Sequence, residues 1–168
     1  DLGVIRRQMD YVFDLVEICN SYDKPHPFAD FMVSSLIMIT RADGCLVRCL
    51  NKTTGMLEML SSFGMGEKWK SKSNVAYENS LAQKAFEQGA PIKIVDLTKE
   101  PRYSSLNMAR EHNFNSLSVM PIVYKNQMLG SLTLYITPEK NLEIFDNEFI
   151  EQYIKLFAAL IGNMLLNK

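Results

Sequence analysis

Side chains that could hold a small ligand lie in the second half of the chain, between residues 91 and 136. Five of them carry suitable polar groups, namely Arg102, Tyr103, His112, Thr133 and Tyr135. A guanidinium pairs well with planar anionic or carbonyl groups, and the hydroxyl of Tyr103 directly follows Arg102 in sequence. Alternatively, Arg102 pairs with Asp96 and fixes its own loop, which is the interpretation we favour. Asp96 could equally cap the backbone of that loop.

His112 ends a short helix that the pattern predicts over residues 106–112. A histidine at such a position could ligate haem or a metal ion, or titrate as a pH-sensitive switch. A histidine near a helix C-terminus more often interacts with the free carbonyl groups there. We therefore expect a structural role for His112 and keep ligand binding as the alternative.

Thr133 and Tyr135 lie in the last predicted strand, residues 128–136. Since successive side chains of a strand point to opposite faces, Ser131, Thr133 and Tyr135 share one face. Gly130 and the intervening leucines share the other face, which is typical of a surface that packs against helices. The hydroxyl face is either a pocket wall or a polar side turned to solvent, and the pattern leaves both open.

The three cysteines, Cys19, Cys45 and Cys49, form no convincing catalytic or metal-binding arrangement. An odd count without a secretory signal favours a reducing compartment. Cys45 and Cys49 lie four residues apart on one face of a predicted strand, without a histidine pair that would complete a zinc site. We interpret them as small buried hydrophobic residues, because no basic group is expected beside them to stabilise a thiolate.

Charge and composition exclude several kinds of partner. The formal net charge is -1, so the chain has no electrostatic footprint for nucleic acid or for an anionic membrane. The short basic cluster at residues 68–72 is typical of a solvated loop. The longest apolar runs, such as residues 33–40, are too short to cross a bilayer. We therefore predict a cytoplasmic domain that contacts neither nucleic acid nor membrane.

Periodicity predicts the elements that position these side chains. Helices are expected over the first 22 residues and over residues 28–41, 81–88, 106–112 and from Asp146 to the end. Two hairpins are expected, at residues 45–63 and 117–136, with a short strand at 92–95 between them. This order predicts an α+β fold with a central antiparallel sheet of about five or six strands. The terminal helices pack on one face, and the middle helices and loops cover the other.

The helices at the two ends of the chain each carry a seam of apolar residues at alternating three- and four-residue intervals. The first seam comprises Leu2, Ile5, Met9, Val12, Val16 and Cys19, and the second comprises Ile150, Tyr153, Phe157, Leu160 and Met164. A second apolar face on the last helix could meet a partner chain. We predict a homodimer through the terminal helices, 1–22 and 146–168, in a single domain of residues 1–168 cut from a longer protein.

The ordered set of motifs resembles the GAF domain family, relatives of PAS sensors, over almost the whole chain. The residues that carry the resemblance are Ala42-Asp43-Gly44 before Cys45-Leu46-Val47-Arg48, Leu57-Glu58-Met59-Leu60 ending in Gly64, Ser80-Leu81-Ala82 with Ala85, Gly89-Ala90-Pro91, Asp96, Pro101-Arg102-Tyr103, Ser118 with Pro121, and Gly130 with Leu132. The resemblance implies a ligand pocket on one sheet face, covered by the middle helices and the Arg102 loop. The five polar residues named first are its candidate contacts.

The resemblance also limits the possible cofactors. Chromophore-bearing relatives attach a bilin through a cysteine near a histidine such as His112, but no cysteine follows Cys49, so no covalent bilin is expected. The signature of the members that bind cyclic nucleotides is incomplete, because only Asn51-Lys52 is present. The ligand and any cofactor therefore stay unknown.

The predicted function is a regulatory domain that senses a small ligand and dimerises within a larger signal-transduction protein. The output could be a histidine kinase, a cyclic-dinucleotide enzyme, a phosphohydrolase or a transcriptional activator. The domain itself is not expected to be an enzyme. Two alternatives are a free-standing reductase of methionine sulfoxide, which some small family members are, and a dimerisation scaffold without ligand.

Overall fold

In the computed structural model, which describes residues 1–71, 74–101, 103 and 105–166, six strands form one antiparallel sheet. In chain order they are β1 (Gly44–Asn51), β2 (Met56–Phe63), β3 (Val75–Ala76), β4 (Ile92–Ile94), β5 (Ser116–Tyr124) and β6 (Gln127–Ile136). Their order across the sheet is β3-β2-β1-β6-β5-β4. The two predicted hairpins are therefore joined side by side through β1 and β6, at the centre of the sheet.

Six α-helices surround the sheet in the described part of the chain. They are α1 (Leu2–Ser21), α2 (Pro25–Thr40), α3 (Glu67–Ser71), α4 (Leu81–Gln88), α5 (Leu106–Glu111) and α6 (Glu148–Leu166). Short 3-10 turns occur at Leu97–Lys99 and Leu142–Phe145. The predicted α+β fold, with a central antiparallel sheet and helices before, between and after its hairpins, is confirmed.

Local chemistry explains where the elements end. The Ser80 hydroxyl accepts a hydrogen bond from Gln83 N at 3.0 Å and caps α4 at its start. Gly89, with φ +68°, ends the same helix in the left-handed conformation that favours glycine. The β5–β6 turn uses Lys125 and Asn126 at φ +49° and +64°, the signs of a two-residue turn of type I′. Helix α4 has the bounds that the sequence predicted, residues 81–88, and β5 and β6 form the predicted second hairpin.

The two faces of the sheet bury separate apolar clusters. On one face, the terminal helices α1, α2 and α6 pack over alternate residues of the central strands, including Val47, Leu132 and Leu134. On the other face, α3, α4 and α5 enclose a second cluster that includes Leu46, Trp69 and Tyr135. The predicted division, terminal helices on one face and middle helices on the other, is confirmed. The second face is the one that contains the candidate site.

Two local expectations were wrong, and one strand was not predicted. The basic cluster is not only a solvated loop, because its described residues, 68–71, lie in α3, which buries Trp69 completely. The last helix begins at Glu148, and the carboxamide of Asn147 accepts a hydrogen bond from Phe149 N at 2.8 Å. Asp146 instead pairs with Lys93. The two-residue strand β3 was not predicted, since it is too short to give a periodic signal.

Helix α6 is long and apolar enough to cross a bilayer, with a mean hydropathy of 1.3. No apolar run of that length was expected from the sequence. Composition alone does not decide its environment, because the core helix of a globular domain has the same apolar character. Ile150, Phe157 and Ile161 of α6 are buried in the cluster shared with α1 and α2. In this fold the helix covers the sheet.

Asp43 joins the start of β1 to the end of β6, next to the candidate site. Its backbone N–H donates to the Tyr135 carbonyl at 2.9 Å, and its carboxylate accepts from Thr137 N at 2.9 Å and from Lys140 Nζ at 2.7 Å. Partial burial would raise the pKa of Asp43, but the bonds from Lys140 and Thr137 outweigh it and lower the pKa. A charged Asp43 thus fixes the entry into the sheet.

Helices α2 and α6 are tied together by a buried hydrogen bond, and this gives a prediction on alkaline stability. The Tyr153 hydroxyl lies 2.9 Å from Ser35 Oγ, which links α6 to α2. Burial raises the pKa of Tyr153 to about 12, despite the opposing hydrogen bond of Ser35. Because this pKa is above that of an unfolded tyrosine, about 10, its stabilising contribution is present below pH 10 and is lost as the pH rises towards 12.

Replacing Tyr153→Phe should cost about 1 kcal/mol at neutral pH, since one buried hydrogen bond is lost. It should also flatten the fall in unfolding free energy between about pH 10 and 12. Urea unfolding at a series of pH values measures both effects. Tyr22→Phe, which removes an exposed hydroxyl, is the control. An unchanged alkaline slope in Tyr153→Phe would contradict the argument.

Candidate functional site

A cavity of about 210 Å³ lies between the sheet and the helices of the second face. Its floor is formed by the central strands, and its sides by α4, β3 and the segment that contains Tyr103. The polar side chains that line it are Arg48, Glu78, Asn79, Ser80, Tyr103, Ser105, Ser131, Thr133 and Tyr135. The apolar part of the wall includes Leu57, Val75, Leu117 and Val119. An apolar wall with convergent polar groups is a usual feature of a small-molecule site.

The floor of the cavity is the hydroxyl face of β6. Ser131, Thr133 and Tyr135 all point into it, and they are 1%, 2% and 1% exposed. The alternative of a polar face turned to solvent is therefore wrong for these residues. The intervening leucines contact the terminal helices, as predicted. Gly130 differs from the expectation that its face packs against helices, because the group that comes close to it is the backbone of β1.

Arg48 brings a charge to this floor. It lies on β1 opposite Ser131 of β6, lines the cavity and is only 7% exposed. Burial lowers the pKa of Arg48, and the neighbouring phenol groups of Tyr135 and Tyr103 oppose that shift. A guanidinium nevertheless keeps its proton in proteins, because its ordinary pKa is above about 12. The cavity thus contains a desolvated cation.

Two tyrosine hydroxyls continue from Arg48 along the wall. Tyr135 shares a hydrogen bond with the Arg48 side chain, and the Tyr103 hydroxyl donates to the Tyr135 hydroxyl at 3.2 Å. Burial raises the pKa of both phenols, although Arg48 opposes the shift in each. The two groups are therefore neutral hydrogen-bonding partners at physiological pH. They orient the guanidinium without cancelling its charge.

The start of α4 lies at the wall of the same cavity. Ser80, Leu81 and Ala82 line it, and the Ser80 hydroxyl already satisfies Gln83 N. The amides at the start of a helix carry partial positive charge and favour anionic groups. The helix terminus thus adds to the positive character that Arg48 provides.

His112 does not line the cavity, so its proposed contact with the ligand receives no geometric support. Its Nδ1 lies 2.9 Å from the carbonyl oxygen of Met108, and its Nε2 accepts from Gly66 N at 2.9 Å. The first contact is the bond to a helix carbonyl that we expected. The ring also packs against Trp69 and Phe114, with centroids 5.1 and 5.4 Å apart. His112 therefore joins α5 to the start of α3 behind the cavity wall.

Arg102, the first of the predicted contacts, lies outside the described residues, as does any pairing with Asp96. Asp96 itself caps the following turn, since its carboxylate accepts from Thr98 N at 3.0 Å and from Thr98 Oγ1 at 2.6 Å. The capping alternative for Asp96 is therefore confirmed. Of the five predicted contacts, Tyr103, Thr133 and Tyr135 are brought together at the cavity.

Cys45 and Cys49 lie on the opposite face of the sheet, in the cluster shared with the terminal helices. Burial raises the pKa of both thiols, that of Cys49 to about 11, so neither is a thiolate at neutral pH. Arg48 is adjacent in sequence but points to the other face. The sheet thus separates the cysteines from the cavity, and no group of three or more potential metal ligands occurs among the described residues.

Sequence reasoning missed Arg48, although a signal was present. It is the one charged residue within β1, Gly44–Asn51, where its neighbours on both sides are apolar. A charge inside a strand that is otherwise buried has to be paired or to serve a ligand. For residues 78–82 the sequence carried no comparable signal, because their position at the cavity depends on how α4 packs.

Comparison with protein families finds one match. The model described as GAF domain matches residues 25–165, which is most of the chain. The matched part begins at α2, so α1 precedes it. No curated protein sequence matches the chain.

Solved structures share the fold at low sequence identity. The GAF domain of a phosphoenolpyruvate-protein phosphotransferase from Acinetobacter has a TM-score of 0.72 at 16% identity, over 96% of this chain and 94% of that one. Residues 122 to 287 of a methyl-accepting chemotaxis protein have a TM-score of 0.73 at 14% identity, over 92% and 98%. Free methionine-R-sulfoxide reductase from Neisseria meningitidis, solved with its substrate, has a TM-score of 0.72 at 9% identity, over 96% and 92%. At these identities the likeness shows the fold alone.

Proposed function

This chain belongs to the GAF domain family, and from that membership we propose that it senses a small ligand and dimerises within a signal-transduction protein. GAF domains are generally regulatory sensory modules, and similar folds occur in a chemotaxis protein and a phosphotransferase. The observation that carries the proposal is the cavity on the second sheet face, with the buried Arg48 in its floor. Tyr103, Thr133 and Tyr135 are proposed contacts of the ligand.

The sheet supplies a route from the cavity to the terminal helices. Along β6, Thr133 and Tyr135 face the cavity, while Leu132 and Leu134 face the cluster of α1, α2 and α6. A ligand that shifts β6 therefore moves residues that contact the helices on the other face. We propose that the helices transmit this shift to a neighbouring domain, in the cytoplasm. Such coupling requires that the ligand bind one arrangement of the helices better than the other.

The ligand proposal is tested by native mass spectrometry of the purified chain. A small molecule that copurifies should be seen as a defined mass increment. Ala82→Phe, which places a ring in the cavity from the start of α4, should remove that increment. Circular dichroism of the variant establishes that the fold is kept. A domain that neither copurifies with a small molecule nor binds one that is added is a scaffold without ligand.

The dimer proposal is supported by the apolar surface of α1. One face of this helix exposes Leu2, Ile5, Met9 and Phe13 to between 49% and 82%. The second half of the helix packs on the core through Leu15 and its neighbours. The helix is anchored at one end, and its exposed apolar seam can pack against the same seam of a second copy. We propose that α1 and α6 form the dimeric bundle.

Ile5→Glu combined with Met9→Glu should convert the dimer into a monomer, because two charges would be buried at the centre of the seam. Sedimentation equilibrium measures the change in mass. Arg7→Glu combined with Asp10→Glu places the same side chains on the outer face of α1 and should leave the dimer intact. A wild-type chain that is monomeric at high concentration would rule out the dimer.

A further inference from the structure

We infer that the cavity takes a small organic carboxylate with a short apolar body, and that Arg48 receives its carboxylate group. This inference rests on the proposed sensing function and specifies the chemical class of its ligand. The first argument is the position of the charge. Arg48 lines the cavity while 93% of its surface is withdrawn from solvent, since only 7% is exposed. A cation in that setting is stabilised most by an anion in the same cavity.

The other charged group at the described cavity wall does not oppose this assignment. Glu78 lies at the rim and is exposed, so water screens its carboxylate. The hydroxyls that line the interior are neutral, those of Tyr103 and Tyr135 included. Among the described residues, the buried part of the cavity therefore contains a positive charge and no negative one. An anionic ligand gains from that charge, whereas a cationic ligand does not.

The groups around Arg48 match the geometry of a carboxylate. A guanidinium has parallel N–H groups that fit two carboxylate oxygens at once. Ser131 lies beside Arg48 on the paired strand, and Thr133 follows on the same face, so both hydroxyls can serve the outer lone pairs. The amides at the start of α4 add partial positive charge from the side. These donors surround a single planar anionic group.

Size and lining define the rest of the ligand. A cavity of about 150 Å³ holds benzene, and this one measures about 210 Å³. A ligand of about six to nine non-hydrogen atoms therefore fits by that comparison. Nucleotides, haem and bilins are larger. The apolar side chains of Leu57, Leu117 and Val119 also line the wall, where Leu117 and Val119 lie beside Tyr135 and Thr133 on the paired strand, so the body of the ligand is apolar.

The test compares acids with their neutral amides on the full chain. The probes are benzoate and benzamide, butyrate and butyramide, and inorganic phosphate. The readout is the fluorescence of Trp69, the single tryptophan, whose ring lies 5.2 Å from that of Tyr135 in the cavity wall. At least one acid should bind about tenfold or more tightly than its amide, because a charged hydrogen bond is worth about 1.5–3 kcal/mol.

Arg48→Met should remove the preference for the acid, and Arg48→Lys should retain part of it, because lysine keeps the charge but lacks the paired N–H groups. Lys52→Met, which removes an exposed cation from the turn after β1, is the matched control and should leave the preference unchanged. The comparison of acid with amide in the wild-type chain needs no variant, so it stands even if Arg48→Met does not fold.

The outcomes separate this inference from the proposed function. If the amides bind as tightly as the acids, or if a copurifying molecule is neutral, the ligand class is wrong and sensing stands. Tight binding of phosphate without binding of either acid would also overturn the carboxylate. If no probe binds and no molecule copurifies, both the ligand class and the sensing function fail.

Discussion

Replacing Gly130→Ala is expected to destabilise the fold by about 3 kcal/mol or more, and to displace Arg48 from the cavity floor. A Cβ at position 130 would lie well inside contact distance of the Arg48 carbonyl oxygen on β1. This oxygen belongs to a backbone that is held in the sheet on both sides, since β1 lies between β2 and β6. The added methyl group therefore cannot be accommodated by a side-chain rotation, and the strands have to separate.

Gly55→Ala is the control for the loss of glycine itself. Gly55 has φ +72°, and no atom lies near the place that an added Cβ would take. Alanine there therefore costs only the strain of the left-handed conformation, about 1–2 kcal/mol of stability. Urea unfolding of the two variants measures the difference in unfolding free energy. The effect on Arg48 is measured by the loss of acid binding in Gly130→Ala under conditions where the variant is folded. Equal stability of the two variants would contradict the close approach of β1 and β6.

The second large effect is expected for Trp69→Ala, with a loss of about 3–5 kcal/mol. Trp69 is completely buried, and its ring packs against Tyr135, His112 and Phe114 at centroid distances of 5.2, 5.1 and 5.8 Å. Removing the indole leaves a cavity behind the wall of the candidate site. Tyr135 then loses the support that holds its hydroxyl towards Arg48. Ligand binding should weaken together with stability.

Trp69→Phe separates volume from polarity in this prediction. The indole N–H of Trp69 is buried without a hydrogen-bond partner among the described residues, so phenylalanine removes a group that is costly to bury. The smaller ring still contacts Tyr135 and Phe114, and the loss of stability should stay below about 2 kcal/mol. Thermal and urea unfolding measure both variants. An alanine variant as stable as the phenylalanine variant would show that the ring does not support the wall.

Helix α1 shows how one sequence pattern can have two structural meanings. Its apolar residues recur at regular three- and four-residue intervals from Leu2 to Cys19, which indicates a single helical face. Within this seam the fold leaves Leu2, Ile5 and Met9 exposed and half-buries Val12, Val16 and Cys19. Periodicity reports which residues share a face, but it does not report where the neighbouring elements end. Only the packing of α1 against α6 and α2 divides the seam into a half-buried part and an exposed part.

The sequence by itself determined the order of the longer helices and of the two hairpins, the alternation along β6 and the family, because these depend on local periodicity, turn residues and spacing. It placed Thr133 and Tyr135 on one face for the same reason. The tertiary structure decided which polar residues meet there. Arg48 and Tyr135 are far apart in the chain and become neighbours only because β1 pairs with β6. His112, which lies between them in sequence, is held behind the wall by Gly66, since contacts across a fold are not encoded by nearness along the chain.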